Sequence, residues 1–124
     1  MRKRLMPWAS VLAMAPLAYS ATFWVEPDGS GDYPTIQAAI NAASPSDEIV
    51  LGDGVFTGDG NRNIDFVGKA VTVRSQSGDP ATCVIDVQGN FDYISDQGFS
   101  FHSGEGPGSV VRDLTITNAV ADGA

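Results

Sequence analysis

The sequence predicts an all-β domain of short strands wound as a solenoid, with one helix near its start. Three observations carry that prediction. Only Pro34 to Ala43 has a helical period. After it, short β-type runs recur between clusters of Gly, Asp, Asn and Ser. Those runs return at about 20 to 22 residues, as in coils that each bury an apolar side on the next. An ordinary antiparallel sandwich is the competing architecture.

The first residues read as an address rather than as fold. Arg2, Lys3 and Arg4 precede an apolar stretch from Leu5 to Leu17, and Ala18-Tyr19-Ser20 offers small residues for cleavage. This is the pattern of a secretory signal peptide over residues 1–20, with the domain expected over 21–124. The expected location is therefore secreted, periplasmic or on the cell surface. No other segment approaches the ~20 apolar residues of a membrane helix.

Charge narrows the partners. The 124-residue chain has 7 Lys+Arg against 15 Asp+Glu, a net charge of −8. Without Arg2, Lys3 and Arg4 it stands near −11. Such a surface repels phosphate backbones, so no nucleic-acid partner is expected. Acidity serves solubility, and divalent cation binding is the sharper alternative. Cys83 is the single cysteine, set in the apolar run "CVIDV", and reads as a buried free thiol.

The domain opens with "WVEPDGSGDYPTIQAAI", residues 24–40. Phe23 to Val25 reads as a short strand. Pro34 suits a first helical turn, where no N–H is needed. Ile36, Ala39, Ile40 and Ala43 form one apolar stripe, with Gln37 and Asn41 off it. The stripe is narrow and alanine-rich, which suits a helix lying closely over a flat surface such as the end of a sheet stack. Pro45 stops it.

Six short runs follow: "EIVL" (48–51), "NIDF" (63–66), "AVTVRS" (70–75), "CVIDV" (83–87), "FSFH" (99–102) and "LTIT" (114–117). Alternation points Val71 and Val73, Phe99 and Phe101, and Leu114 and Ile116 inward. Spacing matches "IVL" with "VTV" and then "LTI", and "NIDF" with "CVID", giving two strands and two turns per period.

Several residues invite a chemical reading. Gly29 and Gly31 between strand and helix, with Asp53 after the next strand, imitate a dinucleotide site. Pro34 occupies the third glycine position, and Asp28 and Asp32 would repel a pyrophosphate. Asp28, Ser30 and Asp32 imitate the start of a calcium loop. Tyr33 and Ala39 break it as an EF-hand, which leaves a looser acidic calcium site as the alternative to no cofactor. His102, the only histidine, has Ser100 and Ser103 beside it in sequence, with nothing to activate either serine. Asp92 and Asp96 could form a glycosidase-like carboxylate pair but read as solvated loop acids. Trp24, Phe91, Tyr93, Phe99 and Phe101 could stack on sugars, but most of them read as core or end-cap residues. No catalytic, cofactor-binding or metal-binding residue is assigned from these patterns.

One resemblance spans essentially the whole of residues 21–124. "DGSGDYPTIQAAINAASPSDEIVLGDGVF" resembles the opening of secreted right-handed parallel β-helix proteins of the pectin-lyase-like superfamily, which includes pectin methylesterases and bacterial surface proteins. The resemblance implies an N-terminal helix capping about three coils. It also implies that Asn118 sits at an inter-coil turn where asparagines stack. The family's catalytic aspartates, glutamines and arginine fall several coils further on, so none carries over. The expected function is an exported scaffold or binding module contacting polysaccharide or a cell-surface glycan. The alternative is the N-terminal fragment of a pectin esterase or lyase whose catalytic coils lie beyond residue 124. The domain is expected to be incomplete and to self-associate through its open C-terminal coil.

Overall fold

The computed structural model describes residues 19–90 and 96–121. The signal assignment over residues 1–20 lies almost wholly outside these residues, as do Phe91, Asp92 and Tyr93. Among the described residues no helix is long and apolar enough to cross a membrane.

The fold is all-β with parallel sheets and one short helix. In chain order the elements are β1 (Thr22–Val25), α1 (Ile36–Ala42), β2 (Glu48–Leu51), β3 (Gly54–Phe56), β4 (Ile64–Asp65), β5 (Thr72–Ser75), β6 (Cys83–Asp86), β7 (Phe99–Ser100), β8 (Val110–Arg112) and β9 (Thr115–Thr117). Sheet A has the order β1-β2-β5-β8, sheet B β3-β6-β9 and sheet C β4-β7. Every neighbouring pair is parallel. From β2 onward the chain visits the sheets in the order A, B, C, A, B, C, A, B.

This corrects the strand matching read from spacing. "VTV" pairs onward with Val110 to Arg112, not with "LTI", and "CVID" pairs with β3 and β9, not with "NIDF". The period therefore holds three strands, not two. β3 and β8 were not among the runs read from the sequence, although neither is shorter than β4, β7 or β9.

Alternation within the strands builds the core. The inward row of sheet A contains Phe23, Ile49, Val73 and Val111 in register. Phe56 and Ile85 do the same in sheet B, and Ile64 and Phe99 in sheet C. Ile49, Val73, Phe56, Ile85 and Ile64 are fully buried.

Helix α1 closes the first end of this core. Ile36, Ala39 and Ile40 are fully buried, and the helix packs on β1, β2 and β4. Burying each isoleucine stabilises by roughly 1.5–3 kcal/mol. The helix starts later than its proline suggests. Thr35 is the N-cap, its Oγ1 accepting from Ala38 N at 3.1 Å, so Pro34 precedes the helix. Asn61 Oδ1 accepts from Ile36 N at 3.0 Å. At the other terminus Lys69 Nζ donates to the carbonyls of Ile40, Asn41 and Ala43 at 2.8–2.9 Å. A cation on the last carbonyls also complements the helix dipole.

Two side chains finish what α1 leaves open. An edge strand exposes unpaired N–H and C=O groups. Asp32 N donates to Trp24 O at 2.7 Å, and Asp32 Oδ2 accepts from Trp24 N at 2.9 Å, closing the outer edge of β1. Gln37 does the same for β4: its Oε1 accepts from Asp65 N at 2.7 Å, and its Nε2 donates to Asp65 O at 2.9 Å. Gly31 lets the chain pass this close, because a Cβ there would lie 2.4 Å from Trp24 O.

Candidate functional site

The solvent-facing row of sheet A is the best-formed candidate surface. Parallel register places Trp24, Val50, Arg74 and Arg112 side by side on four strands. Neighbouring strands lie ~4.8 Å apart, so the row spans roughly 14 Å. Trp24 is 39% exposed, while Val50 between Trp24 and Arg74 is fully buried.

Ion pairs hold the guanidinium groups in place. Arg74 Nη2 donates to Glu48 Oε1 at 3.0 Å, and its Nη1 to Ser75 O at 3.0 Å. The hydrogen bond from Arg74, and the charges of Arg74 and Arg112 after it, hold the Glu48 carboxyl below its usual range. Arg74 is pushed up, chiefly by the same bond. Its buried Nε has no hydrogen-bond partner among the described residues. Arg112 Nη1 donates to Asp113 Oδ2 at 2.6 Å. The row thus carries an aromatic face at one end and guanidinium N–H donors further along it, a combination suited to ring stacking and hydroxyl or carboxylate recognition.

Neither arginine was singled out from the sequence. Alternation in "AVTVRS" does place Arg74 opposite to Val73. For Arg112 the run "SVVRD" gave too short a pattern.

The opening loop is accounted for by its own bonds. Asp28 Oδ1 accepts from Ser30 N at 3.0 Å and from Ser30 Oγ at 2.5 Å, which lowers its pKa. Asp32 is committed to β1. Glu26, Pro27, Asp28, Ser30, Gly31 and Asp53 line an open hollow of about 570 Å³. Asp53 therefore does lie near the glycine loop, as the dinucleotide pattern would place it. However, Glu26, Asp28 and Asp53 face that hollow with like charge. Among the described residues no group of three His, Cys, Asp or Glu is arranged to hold a metal ion.

On sheet C, His102 meets a carboxylate that the sequence did not supply. Its Nε2 lies 3.1 Å from Asp65 Oδ2, with the histidine side chain 62% exposed. Ser100 is in register with Asp65. No hydrogen bond among the described residues joins Ser100 or Ser103 to His102, so the three do not assemble as a charge-relay triad. Ser103 N instead donates to Glu105 Oε1 at 2.8 Å, and Gly68 N to Glu105 Oε2 at 2.6 Å. The bond from Ser103 leads in lowering the Glu105 pKa.

Asp96 is not a solvated loop acid. It is buried, accepts from Asn63 Nδ2 at 3.0 Å and from Asn90 N at 3.3 Å, and its backbone bridges to Val120. The Asn63 bond leads in lowering its pKa. These bonds leave it no free role beside Asp92, which lies outside the described residues. Phe99 and Phe101 both contact Phe66, at centroid distances of 5.9 and 4.9 Å.

Asn118 adopts a left-handed turn at φ +58°. Its Nδ2 donates to Asp86 Oδ1 at 2.9 Å. Gly89 N donates to Asn118 O at 2.9 Å, so the turn at Asn118 lies against the turn at Gln88, which shares its left-handed conformation at φ +53°. Asp86, Gln88, Gly89 and Asn118 line a second open hollow of about 410 Å³.

Compared with protein-family models, with curated proteins and with solved structures, the chain finds no match in any of the three.

Proposed function

We propose that this chain is the capped beginning of an exported right-handed parallel β-helix of the pectin-lyase-like kind. In this reading it serves as a scaffold or binding module for polysaccharide or a cell-surface glycan. The repeated order of sheets A, B and C with parallel neighbours supports the architecture. One observation carries the binding role: the in-register row of Trp24, Val50, Arg74 and Arg112, with a partly exposed indole at one end and an arginine at the other. One ring of an extended glycan would stack on Trp24 while hydroxyl or carboxylate groups further along it accept from Arg112.

The test is retention of residues 21–124 on a panel of neutral and acidic polysaccharides, with and without calcium. The expected result is retention on at least one of them. Trp24→Ala should weaken it about tenfold or more, as loss of a central aromatic contact does. Absence of retention on every glycan, or retention indifferent to Trp24→Ala and Arg112→Ala, would overturn the reading. Robust release of reducing ends or methanol would instead favour an esterase or lyase.

A further inference from the structure

We propose that the chain is cut between Ser20 and Ala21 on export, and that the α-ammonium group so created on Ala21 becomes the counter-ion of the buried Asp47 carboxylate. This inference rests on the export part of the reading above and is independent of glycan binding.

Asp47 is 5% exposed. Its Oδ1 accepts from Ala21 N at 2.8 Å, and its Oδ2 from Ser44 N at 2.8 Å. Both donors are neutral peptide groups. No Lys, Arg or His among the described residues is ion-paired with it. Buried charges are ordinarily paired, because removing them from water costs more than neutral donors alone offset.

Ala21 stands where sequence and fold both change. Ala18 and Ser20 fill the −3 and −1 positions of the cleavage pattern. Tyr19 and Ser20 are exposed and belong to no element. Ala21 immediately precedes β1 and already joins the fold: its N–H bonds Asp47, and its carbonyl accepts from Glu48 N at 2.9 Å. In the hydrolysis the water oxygen joins the Ser20 carbonyl carbon and the C–N bond to Ala21 breaks. Both water protons end on the Ala21 nitrogen, and Ser20 leaves as a carboxylate. The nitrogen is already at hydrogen-bond distance from Oδ1, so the ammonium keeps that bond and adds a charge. Charge-assisted hydrogen bonds are roughly twice as strong as neutral ones. The pair ties the start of β1, the outermost strand of sheet A, to the segment after α1. Cleavage thereby completes the cap.

The other charged groups nearby are committed elsewhere. Glu48 bonds Arg74, and Lys69 bonds the last carbonyls of α1. Helix α1, which packs on β1, carries no charged residue. An exposed α-amine titrates near ~7.7–8.0, and a carboxylate beside it raises that value. Its contribution is therefore full below the unfolded value and lost as pH rises through the folded one.

Export of the full 124-residue chain from a bacterial host, followed by N-terminal sequencing, tests the cut. Expected is a product whose first residue is Ala21. Denaturant titration then compares this product with a form that retains Tyr19 and Ser20. At pH 7 the product's unfolding constant should be smaller by about fivefold or more. That difference should disappear by about pH 10.5. In Asp47→Asn it should be absent throughout, whereas a merely structural Asp47 would weaken both forms alike. A chain left uncut in the cytoplasm would overturn the export reading and this inference together. An exported product that starts elsewhere, or two forms equally stable at pH 7, would overturn this inference and leave export standing. Where Asp47→Asn does not fold, a difference that persists unchanged to pH 10.5 would overturn it as well.

Discussion

Gln37 and Asp65 exchange two hydrogen bonds in which a side-chain amide takes the place of a missing strand. The carboxamide offers one donor and one acceptor, the same pair that a neighbouring backbone would present. Gln37→Leu keeps the helix and the side-chain bulk but leaves Asp65 N and O without that partner. The expected loss is about 1–2 kcal/mol, at the lower end because the site is only half-buried. Thermal unfolding would show this as a fall of several degrees. Gln37→Glu should cost as much or more, since a carboxylate would oppose Asp65 O.

Lys69 makes a comparable claim for the end of α1. Its ammonium satisfies three carbonyls that a helix terminus otherwise leaves to water. Lys69→Met retains the aliphatic stem and removes all three bonds. A loss of about 1–3 kcal/mol is expected in a denaturant titration, with Lys69→Arg recovering part of it. An unchanged midpoint in Lys69→Met would show that water substitutes fully for the ammonium.

Much of this cap was legible in the sequence. The stripe Ile36, Ala39, Ile40 and Ala43 is the face that the structure buries. Within the glycine and aspartate loop, Asp32 bonds both the N–H and the carbonyl of Trp24 on β1. What the sequence hid was tertiary. Gln37 and Lys69 each act on segments more than 25 residues away in the chain. No local period reports such a partner. The strand matching went astray for a related reason. Loops between sheets vary in length, so equal spacing in sequence matched runs that belong to different sheets. The Trp24–Arg74–Arg112 row became visible only once the register was known.

Val67 is a β-branched residue at φ +55°, a conformation that its Cβ resists. Its side chain is half exposed, so little burial offsets the strain. Val67→Asn or Val67→Gly should raise stability by about 1 kcal/mol. A lowered melting temperature in both variants would show that the valine's remaining contacts outweigh its backbone strain.

Acid should remove stability in a defined direction. Glu48, Asp96, Asp28 and Glu105 are all shifted down, each by hydrogen bonds to its carboxylate. A lowered folded pKa contributes stability that is fully present above the unfolded value and lost as pH falls through the folded one. Falling net negative charge acts oppositely by relieving self-repulsion. A single variant separates the two. Glu48→Gln should melt below the wild type at pH 7. That difference should shrink as pH falls below about 4.5 and vanish once Glu48 itself is protonated. A difference that stays constant from pH 7 to pH 2 would mean that the Arg74 pair contributes nothing pH-dependent.

Cys83 supplies a probe of the core rather than a reactive group. It is fully buried on the inward row of sheet B, and burial pushes its thiol up to about 11, with the Asp53 charge adding to the effect. The thiolate is the attacking species, so both access and ionisation protect it at neutral pH. A disulfide reagent at pH 8 should label the folded chain only through opening of the core. The labelling rate should therefore track the unfolding equilibrium and rise steeply in denaturant. Ile85→Ala, which removes buried volume two residues away, should accelerate labelling about thirtyfold or more, given a cost of about 2–5 kcal/mol. Prompt labelling of the wild-type chain in native buffer would show that sheet B opens locally, without unfolding of sheets A and C.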